Sequence, residues 1–151
     1  MSSQETHTTA GASAAAIITD AEGRCVIVNP HYKPGWNLPG GRLNVGETPR
    51  EGCAREVREE LGLELEIGDL LVHAWVNRDG GSHVYYIFDT PSLTAEQIAS
   101  ITLQDAELTD MRITKPEEID RADIPKFALT AWSAALAARE DKTIRYVEVN
   151  A

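Results

Sequence analysis

The sequence predicts a mixed α/β or α+β layer fold in a single domain, and three observations support this. The chain has 151 residues, enough for one domain with a real core. Its 42% hydrophobic and 25% charged residues are typical of a soluble globular protein. Strand-like and helix-like segments are interspersed, with no repeat or linker between them. We therefore expect a disordered tail over residues 1–11 and one domain over residues 12–151.

The first predicted elements are two strands joined by a glycine turn. Ala14–Thr19 and Cys25–Val28 are rich in β-formers and flank a turn that ends at Gly23. This pattern is typical of a β-hairpin. An irregular stretch rich in proline and glycine follows, from Pro30 to Gly46.

The next predicted element is a helix with strong signals at both ends. Thr48 is a favourable N-cap, Pro49 suits the first helical position, and Glu51 completes a capping box. The helix should run to Leu61, because Gly62 is a typical helix stop.

Hydrophobic patterning predicts the remaining elements. The predicted strands are Leu65–Val76, His83–Asp89, Glu107–Thr114 and Ile144–Val149, and the predicted helices are Thr94–Ser100 and Phe127–Arg139.

The formal net charge of −10 restricts the partners of the protein. Such a surface repels phosphate backbones, so we expect no stable nucleic-acid binding. An anionic substrate could still bind where metal ions neutralise the site. The two cysteines match no metal-ligand or redox spacing. No apolar run approaches the ~20 residues of a membrane span, so a cytoplasmic location without membrane attachment is expected.

Three glutamates of the predicted helix share one side of a helical wheel. Ala54, Val57 and Leu61 form an apolar stripe, and the glutamates lie on the opposite side. A solvated acidic face is the usual explanation of such a pattern. However, acidic groups in the last turn oppose the helix macrodipole and repel one another, and a bound cation would reverse both effects. Carboxylates are ligands that Mg²⁺ favours. The three residues are Glu56, Glu59 and Glu60.

The wider spacing resembles the signature of the Nudix hydrolase family, of which MutT-like proteins are members. Gly41 is followed after five residues by Glu47, and after seven more by the run Arg55–Leu63. This fills every specified position of the family pattern G-x5-E-x7-R-E-U-x-E-E-x-G-U, in which U is aliphatic. The preceding Trp36–Gly41 also resembles the family's usual lead-in. The box covers 23 of 151 residues.

The resemblance implies an α/β/α sandwich with a mixed β-sheet and a loop–helix–loop catalytic box. Glu56, Glu59, Glu60 and the backbone carbonyl of Gly40 would bind Mg²⁺, for which Mn²⁺ could substitute. Arg55 would orient a neighbouring carboxylate, with Glu47 as its salt-bridge partner, although such a pair can serve geometry alone. Two glycines have structural roles: Gly41 allows a close backbone approach, and Gly62 ends the helix.

The implied reaction is attack of water on a diphosphate linkage. The metal would lower the pKa of a bound water, and a carboxylate would accept its proton. Glu56 is a candidate base within the box. The family often uses a glutamate outside it, for which Glu107 is the first candidate and Asp110 the second; a solvated loop acid is the alternative for both.

The resemblance implies a small nucleotide as the substrate, and four side chains are candidate contacts: Lys33, Arg42, Arg78 and Tyr85. The stretch Asn77–Ser82 lacks the proline expected of ADP-ribose pyrophosphatases. By elimination, a nucleoside triphosphate or related nucleotide is favoured. A nucleotide-sugar or ADP-ribose pyrophosphatase and a non-catalytic nucleotide-binding regulator remain alternatives, and a homodimer is left open. The charge argues against action on RNA ends.

Overall fold

Two β-sheets and three α-helices form the part of the chain that the computed structural model describes, residues 6–30, 35–103, 108–119 and 124–150. A short 3-10 turn spans Pro116–Glu118. The elements in chain order are β1 (Ala10–Ile17), β2 (Cys25–Pro30), β3 (Gly40–Arg42), α1 (Pro49–Leu61), β4 (Leu70–Arg78), β5 (Gly81–Asp89), α2 (Ala95–Ala99), β6 (Leu108–Thr114), α3 (Lys126–Asp141) and β7 (Arg145–Asn150).

The larger sheet has the strand order β3-β1-β5-β4-β7 and is mixed. The β1–β5 and β4–β7 pairs are parallel, whereas β1–β3 and β4–β5 are antiparallel. The smaller sheet pairs β2 with β6 in antiparallel register. Helix α1 packs on β1 and β3, and α3 packs on β4 and β7. This arrangement confirms the predicted mixed α/β fold.

The apolar core is divided into two clusters, one under each of the two long helices. Val57 and Leu61 of α1 are fully buried in the first cluster. Trp132 of α3 is 6% exposed and belongs to the second. The cysteines Cys25 and Cys53 are buried, unbridged and assigned to different clusters. None of the described helices is long and apolar enough to cross a membrane.

The predicted N-terminal hairpin is only a corner between the two sheets. The backbone pairs at the corner itself, where Asp20 N donates to Arg24 O and Val26 N donates to Ile18 O. Beyond that point β1 joins β5 and β2 joins β6. The predicted turn and the pairing next to it are confirmed, but the two strands do not pair along their length. The local sequence indicates a turn but does not select the partner of each strand. Strand β1 also begins at Ala10, inside the segment expected to be a disordered tail.

Two further boundaries differ from the predictions. Strand β4 begins at Leu70, five residues after the predicted start. Just before it, the backbone bonds to the end of β5, where Gly68 N donates to Asp89 O. Strand β3 lies inside the stretch predicted to be irregular. The sequence gives no sign of this strand, because two of its three residues are glycines, which do not favour strands. The helices α1, α2 and α3 and the strands β5, β6 and β7 were predicted to within a few residues.

Candidate functional site

Helix α1 is fixed at both ends by the signals that predict it. The Thr48 side chain accepts from Glu51 N, and the Glu51 carboxylate accepts from Thr48 N. At the other end Gly62 adopts the left-handed conformation (φ 71°), and its N–H donates to Arg58 O. These two caps set the position of the last two turns, which carry the three glutamates.

The prediction that all three glutamates point away from the core was wrong for Glu60. Its side chain is only 3% exposed, and its Oε1 accepts from Gly40 N at 2.8 Å. The buried face of α1 includes Cys53, Val57 and Leu61, so it is centred near Val57. On a helical wheel Glu60 lies only about 60° from Val57. It therefore lies at the border of the buried face, whereas Glu59 is half-exposed.

Arg55 is the centre of an ion-pair network over the outer side of α1. Its guanidinium binds both oxygens of Glu47, at 2.6 and 2.9 Å, and also contacts Glu56 at 2.9 Å and Glu59 at 3.1 Å. It further donates to the carbonyl of Arg42. The hydrogen bonds that Arg55 donates to Glu47 raise the pKa of Arg55 above its already high ordinary value. In return, Arg55 and then the Asn44 N–H lower the pKa of the Glu47 carboxyl.

The two glycines of β3 allow close packing at the edge of the sheet, Gly41 against α1 and Gly40 against β1. A Cβ on Gly41 would stand 2.7 Å from the carboxyl carbon of Glu56. In the antiparallel register Ala16 N donates to Pro39 O and Leu43 N donates to Ala12 O. The alternation of such bonds turns the N–H and C=O of Gly40 away from β1, and the N–H donates to Glu60. A side chain at Gly41 would displace the Glu56 carboxylate.

The donor set at this edge suits a hard divalent cation. It consists of carboxylate oxygens and a peptide carbonyl, the ligands that Mg²⁺ prefers. Among the described residues, however, no three carboxylate, imidazole or thiolate side chains are arranged to hold an ion as they stand. The reason is visible in the contacts: Arg55 supplies the positive charge between Glu56 and Glu59. A bound cation would take over contacts that the guanidinium makes.

A cavity of about 580 Å³ opens beside these carboxylates. Glu56, Glu60, Gly40 and Gly41 line it where α1 meets β3. Its apolar wall comes from the larger sheet, from α3 and from the residues just before β3. The wall residues are Leu38, Ala74, Val76, Ile87, Ala131 and Trp132.

The polar wall of the same cavity is formed mainly by β1, β4 and β5. Ser13 Oγ lies 2.7 Å from His83 Nε2. The guanidinium of Arg78 lies 4.6 Å from the ring centre of Phe127 and donates to the hydroxyl of Tyr85. Burial, and then the charges of Arg78 and Arg42, lower the pKa of His83. The wall therefore holds a neutral imidazole beside two arginines.

Asn37 contributes an unusual group to this cavity. Its Nδ2 is buried and has no hydrogen-bond partner in the described structure. A buried amide donor without a partner is costly, so such groups are normally satisfied by protein, water or a ligand.

The structure places the residues predicted for the site in several different positions. Those that line the cavity are Gly40, Gly41, Arg42, Glu56, Glu60, Arg78 and Tyr85. Glu47, Arg55 and Glu59 form the network behind it, with Gly62 as the helix stop. Lys33 and Glu107 lie outside the described residues. Asp110 is exposed on β6, where its carboxylate accepts from Met111 N, and it does not line the cavity.

Sequence reasoning missed several cavity residues. Ser13, Asn37 and Phe127 carry no local signal, and His83 has no ligand spacing to another histidine. The two-residue period of strands could have linked His83 to Tyr85, which shares its face of β5. Trp132 of α3 is a buried core residue that also lines the cavity.

Comparison with known proteins identifies one family. The model of the NUDIX domain matches residues 9–134. The phosphatase NudJ of Escherichia coli K12 is 30% identical over 121 residues, which cover 78% of this chain and 77% of NudJ. A MutT protein from Methanosarcina mazei Go1 superposes with a TM-score of 0.71 at 22% identity, covering 91% of this chain and 99% of that one. The NUDIX domain of Shewanella oneidensis NrtR, complexed with ADP ribose, gives a TM-score of 0.69 at 18% identity, covering 95% and 100%.

Proposed function

The chain belongs to the Nudix family of hydrolases, which act on pyrophosphate bonds of nucleotide-like substrates, and from this premise we propose a magnesium-dependent cleavage of a small nucleotide. Members of the family use divalent metal ions. In this chain Glu56, Glu59, Glu60 and the carbonyl of Gly40 are the proposed ligands of Mg²⁺, with Mn²⁺ as a substitute.

The observation that carries the proposal is the position of the α1 carboxylates at the edge of the cavity. Glu56 and Glu60 line the cavity itself, and Glu59 is joined to Glu56 through Arg55. A purely solvated acidic face would not need a glycine at position 41 to admit a carboxylate, nor a buried carboxylate on the Gly40 N–H.

In the proposed mechanism the protein positions charge around the reacting diphosphate. The divalent ion, when bound, neutralises phosphate oxygens and lowers the pKa of a water. Arg55 positions Glu56 and Glu59 before a cation takes over part of these contacts, and Glu47 holds Arg55. Glu56 is the proposed base within the box. Glu107 is the first candidate for a base outside the box. Asp110 is the second, because its carboxylate already accepts a hydrogen bond from Met111 N.

The cavity wall suits the nucleoside part of the substrate. Its apolar surface offers a place for a base and sugar, and Asn37 Nδ2 would donate to an acceptor on the base. Lys33, Arg42, Arg78 and Tyr85 are the proposed contacts to phosphate. A nucleoside triphosphate or related nucleotide is the proposed substrate. The ADP ribose held by the Shewanella domain supports a nucleotide-sugar or ADP-ribose substrate as the alternative.

A screen of nucleotides with and without Mg²⁺ tests the function. Release of phosphate or pyrophosphate should stop in EDTA and return with Mg²⁺ or Mn²⁺. Glu59→Gln should lower kcat by about 10²-fold or more, because a ligand charge is lost. Glu64→Gln is a matched control, because Glu64 is exposed just after the same helix.

Two results would contradict the proposal. Full turnover in a metal-free preparation would exclude the metal mechanism. Nucleotide binding without any release of phosphate would favour a non-catalytic regulator.

A further inference from the structure

The cavity-facing side of the larger sheet carries basic groups in successive rows. Arg42, Ser13 and Tyr85 are paired across β3, β1 and β5 and form one row. In the next row His83 of β5 faces Gly11 and Val76. The following row holds Gly81 and Arg78, where the β4–β5 hairpin ends. We call Arg42, Arg78 and His83 the mouth cluster.

The mouth cluster is a concentration of positive charge on an acidic protein. Neither Arg42 nor Arg78 forms an ion pair within the described residues, although the chain carries a net charge of −10. Most other arginines of the described structure have a carboxylate partner, as Arg139 has in Asp89. Asp79 lies nearby, but it pairs with neither arginine of the cluster. Within the part of the chain that the structure describes, the two arginines of the cluster therefore have no carboxylate in direct contact.

The three groups of the mouth cluster face a common space. A Cβ placed on Gly11 would stand 2.8 Å from both Arg42 Nη2 and His83 Nδ1. The cluster lines the main cavity and also a second, adjoining cavity of about 310 Å³. It thus separates the main cavity from a more polar one beyond.

We propose that the mouth cluster is a phosphoryl-binding subsite, separate from the metal centre, for a phosphate group that the substrate carries away from the linkage being cleaved. This inference rests on the proposed function for the identity of the substrate, but not for the binding itself. It narrows the proposed substrate from a nucleoside triphosphate, whose phosphates are contiguous, to a related nucleotide with an additional, remote phosphate.

Distance separates this subsite from the attacked diphosphate. Arg42 itself lies one row from Gly40, but its guanidinium reaches the row of His83, where it approaches Gly11. That row lies two rows from the row of Gly40, which is four residues of strand or about 13 Å. Two phosphorus atoms of one diphosphate share a bridging oxygen and lie far closer than that. A group bound at the mouth cluster is therefore a different phosphate.

The donor set favours a phosphoryl group over a carboxylate. Two guanidinium groups match a charge approaching −2 and can donate several hydrogen bonds to its oxygens. Ser13 and Tyr85 add hydroxyls beside His83 and Arg78. A carboxylate carries one charge and two oxygens, so it would leave part of this set without a partner.

Inorganic phosphate is the first probe, titrated into the metal-free protein in EDTA by calorimetry. Arg78→Gln and Arg42→Gln should each weaken phosphate binding by about tenfold or more, because a charge-assisted hydrogen bond is lost. Arg145→Gln is the control, since Arg145 lies on the far edge strand and pairs with Asp141. Acetate should bind more weakly than phosphate.

Nuclear magnetic resonance of His83 gives a second readout, with its signals assigned from His83→Gln. Phosphate should raise the pKa of His83, because an anion stabilises the imidazolium. Arg78→Gln should raise it even without phosphate, because the charge of Arg78 lowers it in the native protein.

A pair of nucleotides then locates the source of the phosphate. In EDTA, ADP-ribose carrying a 2′-phosphate should bind at least about tenfold more tightly than ADP-ribose, and Arg78→Gln should remove this difference. Equal binding of the two nucleotides would overturn the assignment to a substrate phosphate. Phosphate binding that is unchanged in both arginine variants would overturn the subsite. Failure of the hydrolysis screen would leave these binding results standing, so the two proposals fail separately.

Discussion

Replacing Glu60 and Glu59 by alanine should separate structural from catalytic effects of two neighbouring carboxylates. Glu60 is 3% exposed and accepts from Gly40 N, whereas the side chain of Glu59 is 51% exposed and bonds only to Arg55 among the described contacts. Both are proposed metal ligands, so both variants should lose activity. Only the Glu60 variant should also lose stability in the absence of metal.

The cost of Glu60→Ala follows from its contacts. Leaving the Gly40 N–H without its acceptor costs about 1–3 kcal/mol. The space left by the side chain adds about 1 kcal/mol. The sum of about 2–4 kcal/mol corresponds to a fall in Tm of roughly 4–16 °C for a chain of this size. Glu59→Ala removes an exposed ion pair and should cost no more than about 1 kcal/mol.

Thermal unfolding in EDTA, followed by circular dichroism, measures the difference between the two variants. Glu60→Gln is a useful third protein, because its amide oxygen can still accept from Gly40 N and should recover most of the stability without the activity. If Glu60→Ala melts within about 1 °C of the wild type, the hydrogen bond to Gly40 does not stabilise α1 against β3, and the reasoning about this contact fails.

Two further outcomes are expected from the same network. Glu47→Gln should have a lower free energy of unfolding than the wild type, by a constant difference above pH 4.5, the ordinary pKa of Glu. This difference should shrink as the pH falls through the lowered pKa of Glu47. Urea unfolding across pH measures it, and a difference that does not depend on pH would contradict the role of Arg55. Gly41→Ala should lower kcat by up to about 10²-fold, because its Cβ would displace the Glu56 carboxylate. Gly23→Ala is the control for kcat, since a Cβ there meets nothing within 4 Å. Its positive φ of 80° makes that variant less stable, so kcat is compared per folded protein, and equal kcat values for both variants would refute the steric argument.

Local signals explain why α1 could be predicted from the sequence. The capping box, the proline and the glycine stop all act within one turn of the helix ends, so Thr48 and Gly62 mark the ends without knowledge of the rest of the fold. The spacing from Gly41 to Leu63 identified the family for the same reason: it is a pattern within 23 consecutive residues.

Non-local packing explains the errors. The apolar stripe of Ala54, Val57 and Leu61 suggests that Glu60 faces solvent. In the structure, the buried face of α1 is centred near Val57, because β1 and the residues that follow α1 pack against it. Glu60 therefore lies on the buried side. The partners of β1 and β2 also depend on residues far along the chain. Ser13 and His83 meet across 70 positions, so no short motif could have joined them.

The main cavity exists because small side chains line it, and this makes its volume adjustable by single substitutions. Ala15, Ala74, Ala128 and Ala131 line it from two strands and one helix, and none of them belongs to the carboxylate network. An alanine replaced by valine at any of these positions would reshape the space for the substrate and leave Arg55 and its partners untouched. A lineage carrying this chain could therefore change its substrate in small steps, with the hydrolytic apparatus kept constant while selectivity drifts.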